Sequence, residues 1–207
     1  MKIKKAKVDL CINYNLDEAI KNNIFENYIF TNNIKYNCVL DDIKIDACIF
    51  KNIDLKSIDF VNVSLIDVIF DSCDLSCKNF NFQMLSRVKF INCKMTGVSF
   101  IEAKLNDIIL ENCKCNYINF SGAKINNMVI SDSDLSYLSF LDTKIKNIEF
   151  DNVNLSNAEI INTNMNNIDI SSCKIDNISF DNNSLKGIII DTYQSIELIR
   201  FLGVKFK

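Results

Sequence analysis

Nine cysteines and no histidine delimit the chemistry open to this chain of 207 residues. Thiolates ligate zinc, close disulfides or act as nucleophiles when a base stands beside them. The spacing favours none of these. No Cys-x-x-Cys pair occurs and no histidine is present, so a zinc site has little support. The same lack of histidine removes the side chain that titrates near neutral pH, and no Gly-rich phosphate loop is present. No catalytic residue, no metal and no cofactor is expected, and the chain reads as a non-enzyme.

The cysteines instead follow a period. Cys38, Cys48, Cys73, Cys93, Cys113 and Cys173 lie multiples of five apart. They share a column of small residues that also holds Ile53, Ile58, Val63, Val68, Val88, Val98, Ala103 and Ile108. Two residues after each comes a larger apolar one, as in Phe50, Leu55, Phe60, Leu65, Phe70, Leu75, Phe80, Leu85, Phe90 and Met95, and Cys115 stands in this larger column. The larger column runs at every fifth position from about Phe25 to Ile190. A helix repeats near 3.6 residues and a half-buried strand near 2, so a period of five fits neither. One short extended side plus a corner fits it, and stacked sides of this kind make a solenoid. Buried, reduced, structural cysteines are expected, with Cys73, Cys93 and Cys113 stacked in adjacent coils.

A second period fixes the number of sides. Phe recurs at tens (Phe60, Phe80, Phe100, Phe120, Phe140, Phe180), and Leu, Ile or Met at the intervening fives (Leu65, Leu85, Leu105, Ile125, Ile145, Met165). Four sides of five residues close one coil, so Phe60, Phe80, Phe100, Phe120, Phe140, Ile160 and Phe180 should form one interior column. About eight coils at roughly 4.8 Å each give a rod near 40 Å tall. The expected fold is an all-β solenoid with four sides. The chain has no proline and four glycines, and Asn52, Asn92, Asn112 and Asn152 are expected at corners, where asparagine tolerates the turn and forms side-chain ladders.

The five-residue unit resembles the pentapeptide repeat, usually written A(D/N)LXX, through copies such as Cys73-Asp74-Leu75-Ser76, Ser133-Asp134-Leu135-Ser136 and Val153-Asn154-Leu155-Ser156. That resemblance implies a right-handed quadrilateral β-helix. The expected organisation is an irregular N-terminal segment over 1–23, the β-helix over 24–190, and a C-terminal helix with a dimerisation tail over 191–207. No stretch is long and apolar enough to span a membrane. Lys2, Lys4, Lys5 and Lys7 precede no signal-peptide core, so a cytoplasmic protein is expected.

The outer columns can also be sorted. One Phe-bearing side carries Ile29, Ile49, Ile69, Lys89, Ile109, Val129, Glu149, Asp169 and Ile189, followed by Lys51, Asp71, Ile91, Glu111, Ser131, Asp151, Ser171 and Asp191, with Asp132 beside them. A neighbouring side is basic, with Lys44, Lys104, Lys124 and Lys144. A net charge of −3 argues against direct nucleic-acid binding, which needs a basic stripe. Exposed branched residues beside carboxylates suit a recognition surface for a protein.

After Ile190 the period stops, and 191–202 reads as a short helix with Ile196, Ile199 and Leu202 on one face and Asp191 or Thr192 as its cap. Val204-Lys205-Phe206 reads as a short strand. The tail Gly187-x-x-x-Asp191-x-Tyr193-Gln194-x-x-x-Leu198-x-x-x-Leu202-Gly203-Val204 resembles the end of the quinolone-resistance (Qnr) family, as does Phe70-x-x-Cys73-Asp74-Leu75-Ser76-x-x-x-Phe80. This resemblance implies an acidic homodimeric rod that mimics duplex DNA, binds DNA gyrase and topoisomerase IV, and protects them from fluoroquinolones. The family's dimer-forming tail maps onto Tyr193, Ile196, Ile199, Leu202, Val204 and Phe206. From the column count, Asp71, Glu111, Asp132, Glu149, Asp151 and Asp169 are the candidate contacts to the topoisomerase. Many Qnr proteins carry long loops that interrupt the coils; here the register leaves no room for one. The nearest irregularity puts Lys78 and Gln83 at two successive inner small positions. Because burying an unpaired lysine is costly, a local bulge is expected there, with Phe82 or Met84 exposed.

Overall fold

In the computed structural model, which describes residues 2–202, each coil pairs in parallel with the coil twenty residues later. Lys44 opposes Ser64, Ser64 opposes Met84, Met84 opposes Lys104, and Lys104 opposes Lys124. The longest ladder joins the strands Lys44–Lys51, Ser64–Asp71, Met84–Ile91, Lys104–Glu111 and Lys124–Ser131. The result is a parallel β-solenoid of about eight turns.

Corners explain how five residues make a side. The residue at most corners turns the chain by adopting positive φ, as at Asn52 (56°), Asn92 (54°), Asn112 (52°) and Asn152 (53°). Most L residues clash in this region, and asparagine, aspartate and glycine enter it most readily. Corner amides also ladder between coils. Asn112 Nδ2 donates to Asn92 Oδ1 at 2.7 Å, and Asn152 Nδ2 to Asp132 Oδ1 at 2.7 Å.

Two aromatic columns fill the interior. Centroids of Phe30, Phe50, Phe70 and Phe90 follow at 5.0, 5.1 and 5.1 Å. Those of Phe60, Phe80, Phe100, Phe120 and Phe140 follow at 5.3, 5.3, 5.2 and 5.4 Å. The columns meet edge-on where Phe90 and Phe100 lie 6.5 Å apart at 70°. Such ring pairs add about 0.5–1.5 kcal/mol each beyond area burial. The expected inward pattern slips by one residue near the end, where Ser184 rather than Asn183 is buried, and also near the start. Lys35 is exposed, and its neighbour Ile34 takes the buried position, because an ammonium without a buried partner stays in water.

The cysteines are free thiols. Cys73, Cys93 and Cys113 stack in successive coils, and their sulfurs approach the carbonyl oxygens of Phe50, Phe70 and Phe90 at 3.3, 3.4 and 3.5 Å. Burial pushes Cys48 up to about 12 and Cys173 up to about 11. Neither thiol is a nucleophile at neutral pH.

Order begins earlier than the irregular segment expected over 1–23. Ile12–Asn13 already pairs with Tyr28–Ile29, and the helix Leu16–Asn22 buries Leu16 and Ala19 against the first coil. Asn15 caps that helix by accepting from the amides of Asp17 and Glu18, which meets part of the requirement that a solenoid end be covered. Residues 2–9 then run across the coils. The Cys11 thiol donates to Ala47 O at 2.9 Å, the Lys7 amide to Asp67 Oδ1 at 2.9 Å and the Lys4 amide to Asp107 Oδ1 at 3.2 Å. Ala47, Asp67 and Asp107 lie on one corner column, so the arm crosses several coils.

At the other end the helix Gln194–Leu198 and the 3-10 turn Ile199–Leu202 close the rod. Asp191 Oδ1 accepts the Gln194 amide at 2.7 Å, and Gln194 Oε1 accepts the Asp191 amide at 2.9 Å, a reciprocal cap. Gln194 Nε2 also donates to the carbonyls of Ile170 and Cys173. The inward face holds Gln194 and Leu198, while Phe201 meets Phe180 edge-on at 6.1 Å.

The expected bulge at Lys78 and Gln83 does not form. Lys78 is 5% exposed, and its Nζ donates to the carbonyls of Lys56 and Ile58 at 2.8 Å each and to Asp59 Oδ1 at 3.0 Å. Gln83 Nε2 donates to Phe60 O at 2.7 Å. The cost that motivated the bulge is removed, because the lysine is not unpaired. Among the described residues, no backbone hydrogen bond joins 57–62 to 77–82, whereas 77–82 bonds normally to 96–101 through Cys77, Phe80 and Phe82. Two long side chains thus occupy a seam on one side of the rod. Phe82 (72% exposed) and Met84 project outward without a bulge.

Candidate protein-interaction surface

The outer side that holds the acidic candidates is built by the strand positions flanking the Phe50, Phe70, Phe90, Leu110, Ile130 and Phe150 column. Alternation along each strand turns the inner residue into the core and its neighbours outward. Asp71, Glu111, Glu149, Asp151 and Asp169 therefore all reach the surface of this one side, with Asp132 at the adjoining corner. They do not form one uninterrupted acidic ladder.

In the N-terminal half the carboxylates are countered. Lys51 Nζ lies 3.8 Å from Asp71, and Lys89 Nζ lies 2.7 Å from Glu111. Exposed pairs of this kind contribute at most about 1 kcal/mol, but they cancel the local field that a cationic partner would sense. Glu149, Asp151 and Asp169 line one cleft of about 950 Å³ with Lys146 as its cation. Asp169 is held below the usual carboxylate range by the hydroxyl and amide of Ser171. The acidic character is thus concentrated over about two coils beside the cap.

Two further acids, Asp67 and Asp107, lie outside the acidic columns and are nearly buried beneath the N-terminal arm. Asp67 also receives a two-pronged contact from Arg87, at 2.7 Å from Nε and 2.6 Å from Nη2. Burial pushes its carboxyl up, yet Arg87 and the Lys7 amide outweigh that and hold it below the usual range. The signal available in the sequence was the column 67, 87, 107, where Asp, Arg and Asp alternate at twenty-residue steps.

Of the tail residues, Tyr193 is 85% and Ile196 61% exposed, Ile199 is half-buried, and Leu202 ends the 3-10 turn. Val204 and Phe206, with the short strand expected there, lie outside the described residues. The helix turns Gln194 and Leu198 to its own rod and leaves Tyr193 and Ile196 on the outer side. Among the described residues, no group of three or more Cys, Asp or Glu side chains is arranged to hold a metal ion, and no helix is long and apolar enough to cross a membrane.

Comparison with known proteins gives three findings. Residues 63–140 match the family described as the pentapeptide repeat region. No curated protein matches the chain. Among solved structures, it is similar to a trypsin-treated variant of QnrB1, described as a plasmid-mediated fluoroquinolone resistance protein, at 21% identity over 88% of this chain and 89% of that one, with a TM-score of 0.42. It is also similar to HetL, a pentapeptide repeat protein involved in heterocyst differentiation regulation from the cyanobacterium Nostoc sp. strain PCC 7120. There the identity is 12%, over 90% of this chain and 92% of that one, with a TM-score of 0.41. Residues 63–140 are a pentapeptide repeat region, and the same five-residue coil continues on both sides of them.

Proposed function

We propose that this chain is a non-enzymatic docking rod that binds a type II topoisomerase, DNA gyrase or topoisomerase IV, in place of duplex DNA and gives quinolone resistance. The observation that carries the reading is the placement of Asp132, Asp151 and Asp169 on one side of the coil, beside a capped end whose sequence resembles the Qnr tail. Opposite charge steers and orients such an encounter. Carboxylates from successive coils repeat at roughly 4.8 Å, against one phosphate per about 3.4 Å of helix axis on each DNA strand. A few well-placed acids therefore have to carry the mimicry. Tyr193 and Ile196 are available to join two copies end to end into a two-fold dimer.

Supercoiling by purified gyrase, with and without ciprofloxacin, tests the reading. Restored supercoiling in the presence of drug supports protection. No effect at any concentration, with no capture of gyrase or topoisomerase IV, overturns it. A second reading is immunity to a different gyrase poison, favoured by the unbroken register from Lys44 through Ser131, which leaves no long loop on that ladder. Inhibition by the rod alone, without rescue from ciprofloxacin, supports the second reading over the first.

A further inference from the structure

We propose that the cleft between 147–152 and 167–172 is a strand-addition site for an extended, lysine-rich segment of a partner protein. The inference rests on reading this side as a protein-docking surface and specifies the segment that docks. The ladder itself is parted here. Residues 128–132 bond to the next coil in the usual way, with the Met128 amide donating to Asn147 O and the Asp132 amide to Asp151 O. The same register turns the amides of Ile148, Phe150 and Asn152 toward the following coil. Among the described residues, no backbone hydrogen bond crosses from 147–152 to 167–172, and the strand Ile148–Asp151 pairs only with the coil before it. At the 150–152 end the Ser172 hydroxyl bridges the gap, accepting from the Asn152 amide at 3.2 Å and donating to Phe150 O at 3.4 Å, so the opening lies toward Ile148.

Three observations point to an occupant. First, the amides of Ile148 and Phe150 face the cleft without a backbone acceptor in the next coil, and an open strand edge of this kind is a template for a further strand. Second, the core shows through the opening. Phe150 is 8% and Ile148 7% exposed, while Phe50, Phe70, Phe90 and Ile130 in the same column are fully covered. Third, Asp151 and Asp169 line the cleft as exposed carboxylates against the single cation Lys146, so the segment that fits is cationic. A volume of about 950 Å³ lies at the upper end of ligand clefts and suits several residues of peptide. The rod already holds one segment of this class. Residues 2–9, rich in lysine, lie extended across the coils with amides of Lys4 and Lys7 donating to carboxylates of Asp107 and Asp67. The cleft offers a similar carboxylate environment and adds strand-edge groups.

The probe is a fluorescein-labelled ten-residue peptide of alternating valine and lysine, added to the full chain without any topoisomerase and followed by fluorescence anisotropy. Saturable binding is expected. It should weaken at least tenfold with the Asp151→Lys, Asp169→Lys double variant and at least tenfold with a peptide N-methylated at every second residue. Hydrogen exchange should slow at Ile148 and Phe150 on binding. Reversing Asp41 and Asp42 on a distant coil should leave affinity unchanged. Equal binding of the N-methylated peptide, equal loss from the Asp41/Asp42 variant, or no saturable binding would each overturn the inference. Circular dichroism shows whether a variant has kept the coil, and Asp151→Asn with Asp169→Asn repeats the test with smaller disturbance. Failure here leaves topoisomerase binding through the outer columns intact, and failure of the supercoiling assay leaves peptide capture intact.

Discussion

The ammonium of Lys78 donates to the carbonyl oxygen of Ile58 at 2.8 Å, twenty residues back along the chain. One coil further on, the equivalent bond is made by backbone, with the Ser99 amide donating to Lys78 O. A side chain has replaced a backbone donor, and the two coils part around it. Because the repeat normally places a small residue at this position, the substitution can be reversed by mutation.

Lys78→Ala with Gln83→Ala should restore the small inner residues and let the ladder close. Hydrogen exchange at Phe60 and Asn62 is expected to slow at least tenfold. Lys78→Met should do the opposite, because it keeps the bulk, supplies no donor and orphans the carbonyls of Lys56 and Ile58, at a cost of about 2 kcal/mol. Faster exchange in the double alanine variant would show that the pair does not hold the seam open.

The aromatic columns carry the core. Phe100→Ala removes a ring that contacts Phe80, Phe120 and Phe90, and should lower stability by about 3–5 kcal/mol. Denaturant unfolding measures this. A loss under about 1 kcal/mol would mean that neighbouring coils collapse into the space.

Acid should weaken the coil around Asp74. Burial pushes its carboxyl up, but the Ser76 hydroxyl at 2.6 Å, the Ser76 amide at 3.0 Å and Lys56 at 3.2 Å outweigh it, and Asp74 is lowered to about 2. A depressed folded value means that the stabilisation is present above the unfolded value near 3.9 and is lost as pH falls through about 2. The contribution is about 2 kcal/mol. Asp74→Asn should flatten the stability profile between pH 4 and pH 2, and an unchanged slope would assign the acid sensitivity elsewhere.

Removing residues 2–9 should uncover Asp67 and Asp107 and loosen the coils they span. A loss of about 2 kcal/mol is expected from the forfeited amide–carboxylate bonds. Asp67→Asn should cost less than Asp67→Leu, since the amide still accepts from Lys7. Thermal unfolding of the three variants gives the order.

Ile196→Glu should give monomers by light scattering while leaving the rod folded, because Ile196 points away from it. Leu198→Glu should instead unfold the cap, since Leu198 is buried against the last coil. Dimers that survive Ile196→Glu would place the joint elsewhere.

The sequence by itself determined the coil, because a period of five with doubled spacing of phenylalanine leaves one way to bury every large side chain. The stacked Phe60 to Phe140 column, the corner asparagines and the free, buried Cys73, Cys93 and Cys113 all follow from that local rule, repeated at fixed steps. What the tertiary structure decided lies where contacts leave the repeat. The period marks Lys78 as a misfit but does not contain the carbonyls of Lys56 and Ile58 that receive it. Asp67 and Asp107 read as solvated corner acids until the arm from Lys4 to Lys7 lies over them, a contact between residues up to 103 positions apart. The column count also grouped Asp71 and Glu111 with Asp151 and Asp169, although Lys51 and Lys89 reach across to neutralise the first two. Periodicity fixes which way a side chain points; which long, flexible charge it meets there is settled only by three-dimensional distance.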